Sequence, residues 1–385
     1  MIKQEINELK RLYTPSNCSI TRICGCYVDG EKNKKTEFKE AFLSLPEEEI
    51  FKYFELLRKT LSGSLGKNLL NLDFPLASEQ EGGTQAALLA LRDSKLKDDA
   101  LIEEFYDRVI NTYEYVGNYL ILLIHDAYDV PGKTTDGLTM DDASDTVFEY
   151  IMCCICPVNL SKPGLSYDNI NNEFHNRIRD WVVEMPETGF LFPSFNDRAT
   201  DIHSTLFYSK NPEEAHSEFV ENILGCTMPL SAGTQKEAFQ VLIEETLGDE
   251  VEYEVVKNIH ENLTEMIEEH KEIPEPLTLD KHQVKSLFEK SGVKEEKLTD
   301  FDKLYDAAAG EDTSLFVNNV ANVRTFEVKT PDVVVKVNPE RADLVNTLQI
   351  DGKRCLVIEI NDHVEVNGIT IHQSVSLEDV ADEEE

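Results

Sequence analysis

Two groups of cysteines have residue types that could bind a metal ion or undergo redox chemistry. Cys24 and Cys26 flank one glycine in SITRICGCYVDGEKNKK, and a second group reads CCIC at 153–156. Structural zinc sites use two C-x2–4-C pairs that supply four ligands, and neither group has Cys or His partners at such a spacing. Both groups lie in apolar, strand-like runs, where buried cysteine behaves as a small hydrophobic residue. We therefore predict thiols in the protein core and no bound cofactor.

Basic residues near the N-terminus are the second group that could do chemistry. Residues 1–70 contain 12 Lys and Arg against 10 Asp and Glu, although the whole chain has a net charge of -37. The loop LSGSLGKN could meet a phosphate with its backbone amides, but it lacks the Walker spacing. The alternative is a helix C-cap with solvated lysines. The predicted nucleic-acid contacts are Arg22, Lys32, Lys34, Lys35, Lys39, Arg58, Lys59 and Lys67.

Histidines next to aspartates form the third group. His125 and Asp126 end the apolar run YLILLI, and Asp197, Asp201 and His203 lie close together in sequence. Such side chains could bind a divalent cation, but their spacing matches no standard metal motif. Ordinary ends of strands and a solvated acidic loop are the alternatives. The sequence also lacks G-x-S-x-G, H-E-x-x-H and G-x-G-x-x-G, which removes the simplest arguments for an enzyme.

The charge and the hydropathy pattern restrict the partners. The chain contains 74 Asp and Glu against 37 Lys and Arg. Such a surface repels nucleic acid and anionic membranes unless a basic patch intervenes. It could serve solubility alone, or it could compete with DNA for a basic partner. No signal peptide and no apolar run of about 20 residues is seen, so we expect a cytoplasmic bacterial protein with eight reduced cysteines and no membrane contact.

The elements that would position these residues indicate an α+β fold. An N-terminal α+β domain, a sheet covered by helices, is predicted over residues 1–208. Residues 209–373 are predicted to form a helical segment followed by an antiparallel β meander, and residues 374–385 a disordered acidic tail. In the helical segment, we predict one helix that starts at Asn211 and another that starts with a capping box at Thr234.

Two resemblances follow from longer stretches. The segments TRICGCYVDGEKNKK, LPEEEIFKYFELLRKTLSGSLGKNLLNLDFP and EGGTQ resemble a Firmicutes family known as a conserved domain of unknown function, over nearly the whole chain. That resemblance implies no activity. The order of elements from EEAHSEFVENILG onward, with YLILLIHDAY before it, is similar to the nucleoid-associated 37-kilodalton protein family. Its members are acidic although they associate with the nucleoid.

The sequence thus leads to one principal prediction and two alternatives. The principal prediction is a non-enzymatic nucleoid- or DNA-associated protein, which contacts DNA through the N-terminal basic residues or through a DNA-binding protein. The first alternative is an acidic interaction protein, or DNA mimic, that binds a basic partner. The second is a metal-dependent enzyme such as a nuclease, which would use His125, Asp126 and the region of Asp201 and His203.

Overall fold

The computed structural model describes residues 1–133, 139–214, 216–248, 251–322, 324–360, 364–366 and 369–371. The chain divides into two compact units, Met1–Phe239 with Lys271–Thr278 and Gln240–His270 with Leu279–Glu385. The predicted domain limit at residue 208 remains a prediction, and the predicted acidic tail lies outside the described residues. None of the described helices is both long enough and apolar enough to cross a membrane.

An antiparallel sheet forms the centre of the first unit. Its strands follow the order β2-β1-β4-β5-β9-β12-β3, and β8 pairs with β5 beside this path. Two separate strand pairs, β6-β7 and β10-β11, complete the strands of this unit. The strands are β1 (Ile20–Val28), β2 (Lys34–Ala41), β3 (Leu69–Asp73), β4 (Asn118–Lys133), β5 (Thr139–Leu160), β6 (Leu165–Asp168), β7 (Glu173–Asn176), β8 (Trp181–Val183), β9 (Thr188–Phe192), β10 (Ser194–Asn196), β11 (Ala199–Asp201) and β12 (Ser204–Ser209).

The sequence predicts a sheet covered by helices, and in the structure helices cover both of its faces. On one face, α1 (Lys3–Leu12) and α2 (Glu47–Thr60) pack against the even-numbered residues of β4, such as Leu122. On the other face, α3 (Thr84–Asp93), α4 (Asp99–Thr112) and the short α5 (Ser217–Phe219, continued by a π turn over Val220–Leu224) pack against Leu123 and its odd-numbered neighbours. The alternation of side chains along a strand therefore gives two separate hydrophobic cores.

Two predicted helix starts are wrong. The helix predicted from Asn211 begins at Ser217, because the Asn211 side chain accepts a hydrogen bond from the Glu213 backbone and closes a turn instead. The next helix, α6 (Ala232–Leu247), begins before Thr234. Ser231 supplies the cap there, since its hydroxyl accepts a hydrogen bond from the Thr234 amide at 3.1 Å. The capping residue therefore lies three positions upstream of the predicted one.

The second unit combines helices with strand pairs, so the predicted α+β class is confirmed for the chain. Residues 317–320 form a helical turn, although the sequence reads as strand, and the turn expected at Asn367-Gly368 lies outside the described residues. The helices are α7 (Tyr253–Glu269), α8 (Lys281–Lys290), α9 (Phe301–Ala308), α10 (Val317–Val320) and 3-10 turns over Glu295–Leu298 and Pro339–Leu344. The strand pairs are β13 (Thr278–Leu279) with β14 (Leu315–Phe316), β15 (Phe326–Lys329) with β16 (Val334–Val337), β17 (Val345–Ile350) with β18 (Lys353–Ile358), and β19 (Val364–Val366) with β20 (Ile369–Ile371).

Candidate functional site

The cysteine pair of β1 lies in the core of the sheet. Cys24 and Cys26 are fully buried, and burial raises the pKa of Cys24 to about 11 and that of Cys26 to about 12. Both thiols are therefore protonated near neutral pH and are poor nucleophiles. The glycine between them is explained by packing, because a Cβ at Gly25 would overlap the ring of Phe38 on the neighbouring strand.

Four of the predicted nucleic-acid contacts, the lysines of the β1–β2 hairpin, lie within reach of acidic side chains. Lys34 contacts Asp107 at 2.8 Å and Glu103 at 3.6 Å, both on α4. The other three pairs join Lys32 to Glu114 at 3.1 Å, Lys35 to Asp29 at 2.6 Å, and Lys39 to Asp99 at 2.9 Å. A phosphate would have to displace a carboxylate at each of these lysines. The hairpin is thus a neutralised surface, and not the uncompensated basic patch that its sequence indicates.

The remaining predicted contacts occupy other positions. The Arg58 guanidinium donates a hydrogen bond to the Tyr13 carbonyl and lies 5.9 Å from the centre of the Phe54 ring. Lys67 is exposed in the loop after α2, and Arg22 is half-buried in β1.

A cation that the sequence did not single out joins Arg58 and Lys59. Burial lowers the pKa of Lys10, and the positive charges of Arg58 and Lys59 lower it further. Lys10 also donates a 2.8 Å hydrogen bond to Ser62. The apolar face of α1 consists of Ile6, Leu9 and Leu12. The sequence does not show that Lys10 lies beside α2, because this depends on how the two helices pack. Lys10, Arg58 and Lys59 thus lie close enough for their charges to interact.

His125 and Asp126 point to opposite faces of the sheet, because they are neighbours in β4. On the His125 face, Nδ1 lies 2.8 Å from the Thr21 hydroxyl and Nε2 lies 3.8 Å from Oε2 of Glu149. The other carboxylate oxygen of Glu149, Oε1, lies 2.8 Å from Lys95. Burial lowers the pKa of His125 to about 4, against the opposing charge of Glu149. The imidazole is therefore neutral near pH 7.

On the opposite face, Asp126 ends a buried chain of hydroxyl groups. Its carboxylate accepts a 2.7 Å hydrogen bond from Tyr150, whose oxygen lies 3.0 Å from that of Tyr13. Burial raises the pKa of Asp126, although the hydrogen bonds from Tyr150 and the Ala127 amide oppose the shift. The two side chains thus belong to different layers of the unit and do not form one metal site.

The third predicted group forms a hydrogen-bonded turn. Burial opposes ionisation of Asp201, but the hydrogen bonds from Ser204 and Asn196 lower its pKa overall. His203 lies 2.6 Å from a Glu79 oxygen, which raises the pKa of the imidazole, and Asp197 occupies a turn with a φ of 50°. Within the part of the chain that the structure describes, no group of three or more His, Cys, Asp or Glu side chains could hold a metal ion.

An acidic groove in the second unit was not identified from the sequence. It lies between α7 and the 3-10 turn over Pro339–Leu344 and has a volume of about 760 Å³, which includes open solvent. The helix supplies one wall, because glutamates three or four residues apart share a helix face. The residues that line this acidic groove are Glu261, Thr264, Glu265, Glu268, Pro339, Glu340 and Asp343.

Two cations lie beside the acidic groove and compensate part of its charge. Lys257 is 3.9 Å from Glu261 and donates a closer hydrogen bond, at 2.9 Å, to Asn346. Arg341 lies 3.3 Å from Asp343. Across the described residues, Glu265 and Glu340 make no ion pair within 4.0 Å. The only sequence signal for the groove was the acidic composition of α7. The second wall of the groove comes from about 70 residues further along the chain, so no local pattern indicates it.

Comparison with known proteins places nearly the whole chain in one family. The match extends over residues 1–369 and carries the description of a domain of unknown function, DUF4317. The search of curated proteins finds no match to this chain. The family match extends through the first unit and most of the second, and it confirms the predicted resemblance to a conserved domain of unknown function. The chain therefore belongs to the DUF4317 family.

Proposed function

We propose that this protein is a non-enzymatic binding protein whose acidic surface takes a basic protein partner. The observation that carries the proposal is the acidic groove, where five carboxylates from two separate elements meet beside two cations. A cleft lined by one sign of charge focuses its field and raises the local concentration of an oppositely charged partner. Lysine- or arginine-rich protein segments have the matching chemistry.

The charge of the second unit favours the same partner. Residues 240–270 and 279–385 contain 13 basic and 33 acidic residues, a net charge of -20. This field extends beyond the groove by about one Debye length, roughly 8 Å at physiological salt. It would steer basic proteins toward the unit and repel nucleic acid. A nucleoid association, as the sequence predicts, would then be indirect and would depend on a basic DNA-binding partner.

Direct contact with DNA is a second candidate function, which Lys10, Arg58, Lys59 and Lys67 support. Cations at these positions could meet phosphate groups without displacing a carboxylate from the β1–β2 hairpin. The contact would be small, since each neutralised phosphate contributes one step to the salt dependence of binding. The attraction of these cations for DNA competes with the repulsion of DNA by the acidic rest of the chain.

Fluorescence anisotropy with a labelled lysine-rich peptide and a labelled DNA duplex separates the two functions. The groove variant combines Glu261→Gln, Glu265→Gln and Glu340→Gln. The matched control combines Glu289→Gln, Glu295→Gln and Glu296→Gln, three exposed glutamates of the same unit that change the net charge equally. We expect the groove variant to bind the peptide about tenfold more weakly, because three charges at ~0.5 kcal/mol each amount to about one decade in affinity.

The outcomes assign the function as follows. Equal peptide affinity of the groove variant and its control would contradict the proposal, since only total charge would then matter. Duplex binding that is lost with Lys59→Glu and Lys67→Glu, and that weakens steeply with salt, would favour direct DNA contact instead.

A further inference from the structure

A two-stranded ribbon extends from the end of β5 and β8 of the first unit. Leu160 pairs with Trp181, Ser161 exchanges hydrogen bonds with Asp180, and the Arg177 amide donates to the Gly164 carbonyl. The pair β6-β7 continues the ribbon to the turn after Asp168. We call residues 160–181 the arm.

The two faces of the arm differ in polarity. Leu165, Tyr167 and Phe174 share one face, where the rings of Tyr167 and Phe174 lie 5.2 Å apart. Ser166 and Asp168 alternate with them and point to the other face, as the period of a strand requires. In β6 the apolar side chains are the exposed ones, whereas Ser166 and Asp168 are half-covered. The arm therefore directs its apolar face toward solvent.

No residue of the arm is buried, although seven of its side chains are large and apolar. The exposed fractions are 39% for Leu160, 75% for Leu165, 54% for Tyr167, 86% for Ile170, 71% for Phe174, 76% for Ile178 and 55% for Trp181. An isolated two-stranded ribbon in water is only marginally stable, and it needs a hydrophobic face that packs on something. Contiguous exposed apolar surface, such as that of Leu165, Tyr167 and Phe174, marks an interaction site.

We propose that the arm is the dimerisation surface of this protein and that its occupant is the arm of a second copy. Charge is the first argument. The arm contains three basic and three acidic residues, while the remaining 363 residues hold the entire net charge of -37. Contact through the acidic surfaces would bring like charges together, which costs free energy. The neutral, apolar arm is a part of the first unit that a second copy can approach without this repulsion.

The available area is the second argument. The side chains that share the apolar face, Leu165, Tyr167 and Phe174, are exposed by 54–75% and together offer on the order of 300–400 Å². This area is smaller than the ~800 Å² per partner that a standard interface buries, so we expect a weak dimer that forms at high protein concentration. A pair of arms related by a two-fold axis would present the same face to itself, as an isologous dimer requires.

Sedimentation velocity on the full chain tests the proposal over concentrations from about 1 to about 100 µM, because dimer stability depends on concentration. The arm variant carries Leu165→Asp and Phe174→Asp. The matched control carries Leu76→Asp and Val116→Asp, which replace apolar residues of the first unit that are exposed by 81% and 101% outside the arm. Far-UV circular dichroism verifies that both variants fold.

We expect the wild type and the control to form dimers and the arm variant to remain a monomer. Added salt should strengthen the dimer, since it screens the repulsion between two chains of -37.

Three results would overturn the proposal. The first is a wild type that stays monomeric throughout the concentration range. The second is an arm variant that dimerises as the wild type does. The third is growth into larger assemblies, because an isologous contact closes at two copies.

Discussion

The β1–β2 hairpin and the arm are both antiparallel ribbons of the first unit, but their side chains find partners in different places. The hairpin packs Cys24 and Cys26 into the core and pairs Lys34 with acidic residues of α4. The arm has no buried residue and leaves Phe174 in solvent. A ribbon whose apolar and charged side chains find their partners within the unit contributes to the stability of that unit. A ribbon whose apolar face is left open contributes to association instead.

The largest expected effect is a pH dependence of the unfolding free energy, which arises from His125, a residue buried beside β1 in the packed part of the unit. Its pKa of about 4 in the fold lies below the ordinary value of 6.5, so the unfolded chain takes up the proton first. The contribution of neutral His125 to the unfolding free energy is complete above pH 6.5 and is lost as the pH falls toward 4. We expect a loss of about 2–3 kcal/mol over this range, at 1.36 kcal/mol per pKa unit.

Urea denaturation at pH 7 and at pH 4.5 measures this loss, and His125→Gln should reduce it. The raised pKa of Asp126 acts with the opposite sign, because the folded state then binds the acidic proton more readily. The difference between wild type and His125→Gln therefore isolates the histidine. His175→Gln, at an exposed position of the arm, is the control. An unchanged pH dependence in His125→Gln would contradict the prediction.

A pair of glycine substitutions should give the next largest effect. Gly25→Ala places a methyl group against the ring of Phe38 and should cost about 1–2 kcal/mol of unfolding free energy. Gly164→Ala in the arm meets no atom within 4 Å and should change the stability by less than about 0.5 kcal/mol. Denaturant titration of both variants at one low protein concentration measures the difference. Equal costs at the two positions would break the distinction between the packed and the open ribbon.

The smallest effect is expected from the charges. Lys34→Met removes the ion pairs to Asp107 and Glu103 and should cost up to about 1 kcal/mol at low salt, because exposed pairs contribute little. Lys162→Met in the arm should change the stability less. The difference should disappear in concentrated salt, which screens such pairs. A cost for Lys34→Met that persists in concentrated salt would show that the lysine acts through packing and not through charge.

Much of the fold could be predicted from local patterns. The spacing of Ile6, Leu9 and Leu12 identifies α1, and Asp29-Gly30 marks the turn of the β1–β2 hairpin. Asp351-Gly352 marks another, where both residues have a positive φ. These signals succeed because turns and helix faces depend on residues that are at most a few positions apart.

The candidate sites depended on distant residues and were predicted less well. Asp107 lies 73 positions after Lys34, and Glu340 lies 75 positions after Glu265. No sequence pattern connects residues so far apart, so the lysines of the hairpin read as a free basic patch and the acidic groove could not be seen. The arm was hidden for the same reason, because its alternating apolar residues look like those of any half-buried strand.

The sequence by itself determined the α+β class, the acidic surface and the cysteine-rich strands, because composition and short-range periodicity are properties of the chain alone. Tertiary structure decided which charges are compensated and which apolar faces are covered. Both depend on what folding brings within a few ångströms, since ion pairs and hydrophobic contacts act only at short range. Folding therefore neutralised the lysines of the β1–β2 hairpin, gathered the carboxylates of the acidic groove and left the apolar face of the arm open.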